Sequence, residues 1–317
     1  MSNKTVIVTG ATGLLGREVV RAFDRGGWTT RGTGLSRADG VSILRVDLNK
    51  LGEVESALDR VKPQVVVHCA ASRFPDKVDK DPEGARALNI LASKSLAKLC
   101  AGRSILLIYI STDYVFSGKE GEAPYDADAA TGPPNLYGQT KLDGEHAILE
   151  EYKVANKEGL GVVLRVPVLY GHAETPEESA VNVLMDTVWK AQNEGAKIKM
   201  DHWSLRFPTN TEDVGRVCHD VAVHYLGTKD RQALPRILQF SSEDRFTKYE
   251  ICQLFGEIMG LPIDRIDPSV EGNDPKASVQ RPYDCHLKTS GLKALGINIS
   301  TQDFKSWWRR EVRAFRM

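Results

Sequence analysis

The stretch Thr5-Val6-Ile7-Val8-Thr9-Gly10-Ala11-Thr12-Gly13-Leu14-Leu15-Gly16 decides the fold. Its first five residues are all β-branched, which favours a strand, and the unbroken apolar run inside it suits a strand buried on both faces. Three glycines spaced G-x-x-G-x-x-G follow and open a segment of helical period over 14–25. Such glycines allow a tight turn, close approach of backbone to a diphosphate, and close packing of helix on sheet. The free N–H groups and the helix dipole favour an anion there. Strand, glycine turn and helix in that order mark a dinucleotide-binding turn rather than a chance loop. Gly10, Thr12, Gly13, Leu14, Leu15 and Gly16 are its expected contacts.

Further along, runs rich in Val and Ile at 29–34, 43–47, 64–70, 105–111 and 161–167 alternate with helical segments at 53–61, 82–100 and 136–152. Asp81 stands as an N-cap before Pro82. The alternation predicts an α/β fold: a Rossmann-type doubly wound parallel sheet with a smaller C-terminal substrate lobe. Beyond 167 the pattern weakens, with helical segments near 178–194, 211–225 and 248–259. We therefore expect a cofactor-binding domain over 1–167, with returns near 205–243, and a lobe for substrate or partner over 168–317. A chain of 317 residues agrees with about two lobes at roughly 150 residues each.

Lys plus Arg and Asp plus Glu both number 42, so no broad positive field is available for nucleic acid. Cys69, Cys100, Cys218, Cys252 and Cys285 are scattered and never form a C-x-x-C pair, which signals neither a disulfide framework nor zinc. The histidines, His68 and His202 among them, are dispersed, and no metal is expected. No charged-then-apolar leader precedes the first strand and no run approaches the ~18 apolar residues of a membrane span. A cytoplasmic protein without membrane contact is the expectation.

The end of the second run selects the dinucleotide. An NAD site usually presents an acidic residue there for the ribose 2′-hydroxyl, whereas this chain reads Gly34-Leu35-Ser36-Arg37. Ser36 and Arg37 suit a 2′-phosphate, so NADP(H) is expected over NAD, with Asp39 close by as the contrary sign. Asp47 and Leu48 suit adenine contacts, and Cys69-Ala70-Ala71 has the small side chains needed where backbone passes a bound cofactor.

After the 105–111 run come Ser111-Thr112-Asp113-Tyr114-Val115-Phe116 and then Asn135-Leu136-Tyr137-Gly138-Gln139-Thr140-Lys141. Tyr137 and Lys141 are four apart on a predicted helix and share a face. A phenol near pKa ~10 transfers protons poorly at neutral pH unless its anion is stabilised, which an adjacent ammonium does. Thr112 can hydrogen-bond a substrate oxygen beside Tyr137, and Asp113 is placed to orient substrate. Alone, such a Y-x-x-x-K pair would read as a core aromatic and a surface charge. Together with the glycine turn, Thr112, Tyr137 and Lys141 read as a catalytic set for hydride chemistry on a carbonyl.

These motifs, with Leu164-Arg165-Val166-Pro167-Val168-Leu169-Tyr170-Gly171, resemble the extended short-chain dehydrogenase/reductases. Within them the chain is similar to the branch that holds dTDP-4-dehydrorhamnose reductases and the regulatory beta subunits of methionine adenosyltransferase. The likeness to the beta subunits extends through Val67-His68-Cys69-Ala70-Ala71, Met200-Asp201-His202-Trp203, Arg206-Phe207-Pro208-Thr209, Thr247-Lys248-Tyr249-Glu250 and Gln280-Arg281-Pro282. The resemblance implies Thr112, Tyr137 and Lys141 as the reductase triad, and places Asn89, Pro167, Arg206 and Arg281 at the cofactor or substrate cleft. It implies either an NADP(H)-dependent reductase of a nucleotide-linked 4-keto sugar or a non-catalytic NADP-binding regulatory subunit. A short-chain reductase with a non-sugar carbonyl substrate is the third expectation.

The end of the chain, Trp307-Trp308-Arg309-Arg310-Glu311-Val312-Arg313-Ala314-Phe315-Arg316-Met317, is aromatic and basic. Trp and Arg are favoured interface anchors, so docking of the tail into a methionine adenosyltransferase catalytic subunit is one expectation. A last helix that buries its tryptophans on the parent domain is the other. Arg206 and Arg281 suit a substrate phosphate or carboxylate, with ordinary salt bridges as the alternative, and Glu177 and Glu178 read as solvated charges at a helix start.

Overall fold

The computed structural model describes residues 4–314. The first half builds β1 (Thr5–Thr9), α1 (Leu14–Arg25), β2 (Thr29–Gly34), β3 (Ile43–Arg45), α2 (Leu51–Val61), β4 (Val65–His68), α3 (Pro75–Lys80), α4 (Pro82–Arg86), α5 (Ser93–Gly102), β5 (Leu106–Thr112), α6 (Leu136–Val154) and β6 (Gly161–Val166). There follow β7 (Leu169–Tyr170), α7 (Val183–Lys190), β8 (Ile198–Asp201), β9 (Thr209–Asn210), α8 (Thr211–Gly227), β10 (Ile237–Gln239), α9 (Lys248–Met259), β11 (Ile266–Ser269), α10 (Ser290–Ala294) and α11 (Phe304–Glu311).

Seven parallel strands form the central sheet in the order β10-β6-β5-β4-β1-β2-β3. Every residue of β5 and β6 is buried, as expected of strands covered on both faces. The strand order reverses between β1 and β4, and a ligand crevice opens outside the carboxyl ends of the strands at such a switch point. β10 brings 237–239 back onto β6, and α8 lies against α1.

The predicted helix over 82–100 departs from expectation. Asp81 does cap it, accepting from the Gly84 N–H at 3.0 Å, but residues Ala87–Ala92 widen into a π-turn before α5. Such turns are frequent at functional sites, and buried Asn89 lies within this one. The helix expected from 178 begins at Val183, preceded by a single 3₁₀ turn over Pro176–Glu178.

A second core lies away from the sheet. Tyr170, Leu184, Met200, Ile251, Phe255 and Ile266 pack there with Phe304, Trp307 and Trp308 of α11. The ring of Tyr170 lies 5.1 Å from Trp307, and that of Phe255 lies 4.7 Å from Trp308. The two tryptophans are 4% and 3% exposed: the last helix buries them on the parent domain, the second of the two expectations for this end of the chain. Arg310 and Arg313 remain exposed, and Phe315, Arg316 and Met317 lie outside the described residues.

Candidate functional site

A cavity of about 220 Å³ lies at the switch point of the sheet. Its floor is the glycine turn. Gly10 has φ +64°, and a side-chain carbon on it would stand 2.9 Å from the Ala70 backbone; one on Gly16 would stand 2.1 Å from the Gly10 carbonyl oxygen. Beside Gly13 only that oxygen comes near, at 3.3 Å. The turn therefore has the cradle a dinucleotide diphosphate needs, and residues with side chains cannot replace the glycines that shape it.

Twelve of the residues expected from sequence line this one cavity: Gly10, Gly13, Leu14, Leu15, Gly16, Cys69, Ala71, Thr112, Asp113, Tyr137, Lys141 and Pro167. Thr12, Ser36, Arg37, Asp47, Leu48, Ala70, Asn89, Arg206 and Arg281 are not on its wall. Asn89 instead ties elements together: its side chain accepts from Ser72 N at 2.8 Å and donates to Ser72 O at 3.0 Å and to Thr140 Oγ1 at 3.1 Å. Leu48 packs partly buried against the main core, and the Asp47 carboxylate accepts from the Asn49 N–H at 3.0 Å.

Asn135 caps α6, accepting from the Gly138 N–H at 3.0 Å, and so fixes where Tyr137 enters the cavity. Burial pushes the Tyr137 phenol well above its ordinary value, opposed by a hydrogen bond with Thr112 and by the charge of Arg73. Lys141 is 2% exposed, lies 3.8 Å from the centroid of the Tyr109 ring, and donates to the Ile110 carbonyl at 2.7 Å. Burial pushes its ammonium down to about 7, against the charge of Glu145. Its ammonium is thus directed at a backbone carbonyl, and the neighbouring cation that draws the phenol down is Arg73.

The Thr112 hydroxyl donates to Asp113 Oδ1 at 2.9 Å and accepts from the Tyr114 N–H at 3.2 Å. Burial raises the Asp113 carboxyl to about 7, with Thr112 and the charge of Arg206 opposing. Behind them, Glu145 receives Ser111 at 2.5 Å and Arg165 at 2.7 Å in a buried ion pair. Spacing of four from Lys141 was the one sequence sign of Glu145.

Arg206 is 7% exposed; its Nη1 donates to Leu205 O at 2.8 Å and Pro282 O at 3.2 Å, while its Nη2 is buried without a partner. Arg281 pairs with Asp76 at 2.9 Å. Lys248 feels both arginines, and burial with their charge pushes it down to about 8.

Two residues on the cavity wall were not anticipated in these roles. Arg73 lines it beside Tyr137. Glu178, expected to be solvated, lines it too, with a side chain 11% exposed and paired with Arg17. His68 is buried between Thr9 and Ser93, at 2.6 and 3.0 Å, and burial lowers it to about 3, so it stays neutral and structural. Among the described residues no cluster of His, Cys, Asp and Glu could hold a metal, and no helix is long and apolar enough to cross a membrane.

The sequence model of the RmlD substrate binding domain matches residues 4–315. The chain is 41% identical over 303 residues to methionine adenosyltransferase 2 subunit beta of Mus musculus, covering 94% of this chain and 84% of that one. It is 38% identical over 165 residues to dTDP-4-dehydrorhamnose reductase of Streptomyces griseus, covering 52% of this chain and 50% of that one. The fold matches that of the Bacillus anthracis dTDP-4-dehydrorhamnose reductase solved in complex with NADP, with a TM-score of 0.80 and 19% identity over 97% of this chain and 98% of that one.

Proposed function

The chain belongs to the RmlD substrate binding domain family, and on that premise we propose that it is an NADP(H)-dependent carbonyl reductase acting on a nucleotide-linked 4-keto sugar. The observation that carries this reading is the convergence of Thr112, Tyr137 and Lys141 on the cavity floored by the glycine turn. Residues 1–167 would hold the cofactor and much of 168–317 the substrate. The nicotinamide, when bound, supplies hydride to the carbonyl carbon and is oxidised as the carbonyl becomes an alcohol.

Tyr137, kept neutral by burial, gives its proton to the substrate oxygen, which Thr112 holds. Lys141 would contact the nicotinamide ribose, its ammonium held down to about 7 by burial, while Arg73 is the cation that favours loss of the phenol proton. Arg206, Arg281 and Lys248 supply positive charge for a substrate diphosphate, and the unpartnered Arg206 Nη2 is the donor with most to gain. Ser36 and Arg37 receive the cofactor's 2′-phosphate, Asp47 and Leu48 its adenine. Turnover of NADPH with nucleotide 4-keto sugars and a wider carbonyl panel tests this, and Tyr137→Phe should lower kcat by roughly a thousandfold. Absence of turnover on every carbonyl would end the catalytic reading.

The near-full-length likeness to the beta subunits favours a second reading, in which the same NADP-holding fold regulates methionine adenosyltransferase. Because Trp307 and Trp308 are interior, a contact through the tail would rest on its exposed arginines. Co-purification with that enzyme, lost in an Arg310→Glu, Arg313→Glu variant, supports this reading; no complex at micromolar concentration refutes it.

A further inference from the structure

One charged cluster at the edge of the dinucleotide cleft takes no part in the hydride and proton transfer itself. Arg17 reaches Glu178 at 2.5 Å, and Arg37 reaches Glu174 at 2.5 Å and Glu178 at 3.1 Å. Arg17 also donates to Thr12 O at 2.6 Å and His172 O at 3.2 Å. These contacts tie the glycine turn and the segment after β2 to the segment between β7 and α7, more than a hundred residues away. Resting on the NADP(H) reading above, we propose that Glu174 and Glu178 set cofactor specificity: they occupy Arg17 and Arg37 as internal anions, which a ribose 2′-phosphate must displace.

Charge and position argue for it. Arg37 follows β2, where the 2′ substituent of a bound dinucleotide lies, and both its partners come from the far segment. Arg73 also faces Glu178, so three cations stand against two carboxylates. A phosphate monoester brings a charge of about −1.5 to −2, which would leave the cluster negative unless a carboxylate withdraws. Glu178 cannot withdraw by taking up a proton: against burial, hydrogen bonds from Arg17 and from the Glu174 N–H hold it at about 2. It must exchange partners instead. NADH has no ribose 2′-phosphate with which to force that exchange, so the carboxylates act selectively on the 2′-phosphorylated cofactor.

Titrations of the whole protein with NADPH and NADH, followed by tryptophan fluorescence, test this. Glu174→Gln and Glu178→Gln should each tighten NADPH by roughly fivefold, the equivalent of about 1 kcal/mol, and NADH by less than about twofold. In an Arg37→Gln background the gain at Glu174 should vanish. Glu174 is 54% exposed, so its variant reports even if Glu178→Gln folds poorly. An NADPH-to-NADH preference unchanged or lowered by Glu174→Gln overturns the proposal. Failure of the unaltered protein to bind either dinucleotide would remove the cofactor reading itself.

Discussion

Asp113 and Glu178 line the same cavity from different segments of the chain and are driven in opposite directions. Burial is the largest influence on both. Asp113, at the end of β5, has a threonine hydroxyl for close company and rises to about 7; Glu178, on the segment after β7, has arginines and falls to about 2. Asp113 is also the deeper of the two, and at Glu178 the arginines outweigh the burial that would neutralise it. The wall that carries Asp113 is the end of β5, a fully buried strand of the central sheet. The wall that carries Glu178 is held by side-chain ion pairs, which can change partners.

The largest effect should come from behind the second wall. β7 feeds that wall, and Tyr170 of β7 packs on both tryptophans of α11. Trp308→Ala should cost about 4 kcal/mol in denaturant unfolding, as for other buried tryptophans. A cost below about 1 kcal/mol would mean that α11 is a dispensable tail rather than the support of this wall.

Asp113→Asn sharpens the first half of the comparison. Its pKa in the folded chain, about 7, lies above the ordinary carboxyl value of 3.8, so between those values the folded protein holds a proton that the unfolded chain has lost. Stability therefore falls as pH rises from about 4 to about 7. The asparagine variant should gain roughly 3 kcal/mol over the parent at pH 8 and almost nothing at pH 4. An equal gain at both values would show that packing, not ionisation, governs this position.

The two walls also differed in what the sequence disclosed. The glycine turn was legible because its geometry demands glycine at fixed offsets within one short string. Tyr137 and Lys141 were legible because one helical turn separates them, and the parallel sheet because its buried runs alternate with helices. The pairs that join Arg17 and Arg37 to Glu174 and Glu178 have no local pattern. Pro176-Glu177-Glu178 imitates a helix start, which led the charges to be read as solvated, whereas the chain makes one 3₁₀ turn and folds Glu178 inward. For the tail, the spacing of Phe304, Trp307 and Trp308 at i, i+3 and i+4 carried the burial signal, and the eye-catching arginines competed with it.

Glu178→Gln tests the other half and should give the smallest effect, with the opposite sign in pH. The folded pKa of about 2 lies below the ordinary carboxyl value of 4.5, so the carboxylate contributes stability above the latter and loses it as pH falls toward the former. Solvent near this wall screens the pairs, which limits the contribution to about 1 kcal/mol. Thermal or urea unfolding should therefore show the variant about 1 kcal/mol less stable at pH 6, with the gap narrowing between pH 5 and pH 3. At 0.5 M salt, well above the ionic strength at which such pairs are usually compared, the gap at pH 6 should shrink as well. A gap that persists unchanged at low pH and high salt would mean that Glu178 holds the segment by shape and neutral hydrogen bonds. The two walls would then differ in geometry alone, and a 2′-phosphate would have no charged latch to displace.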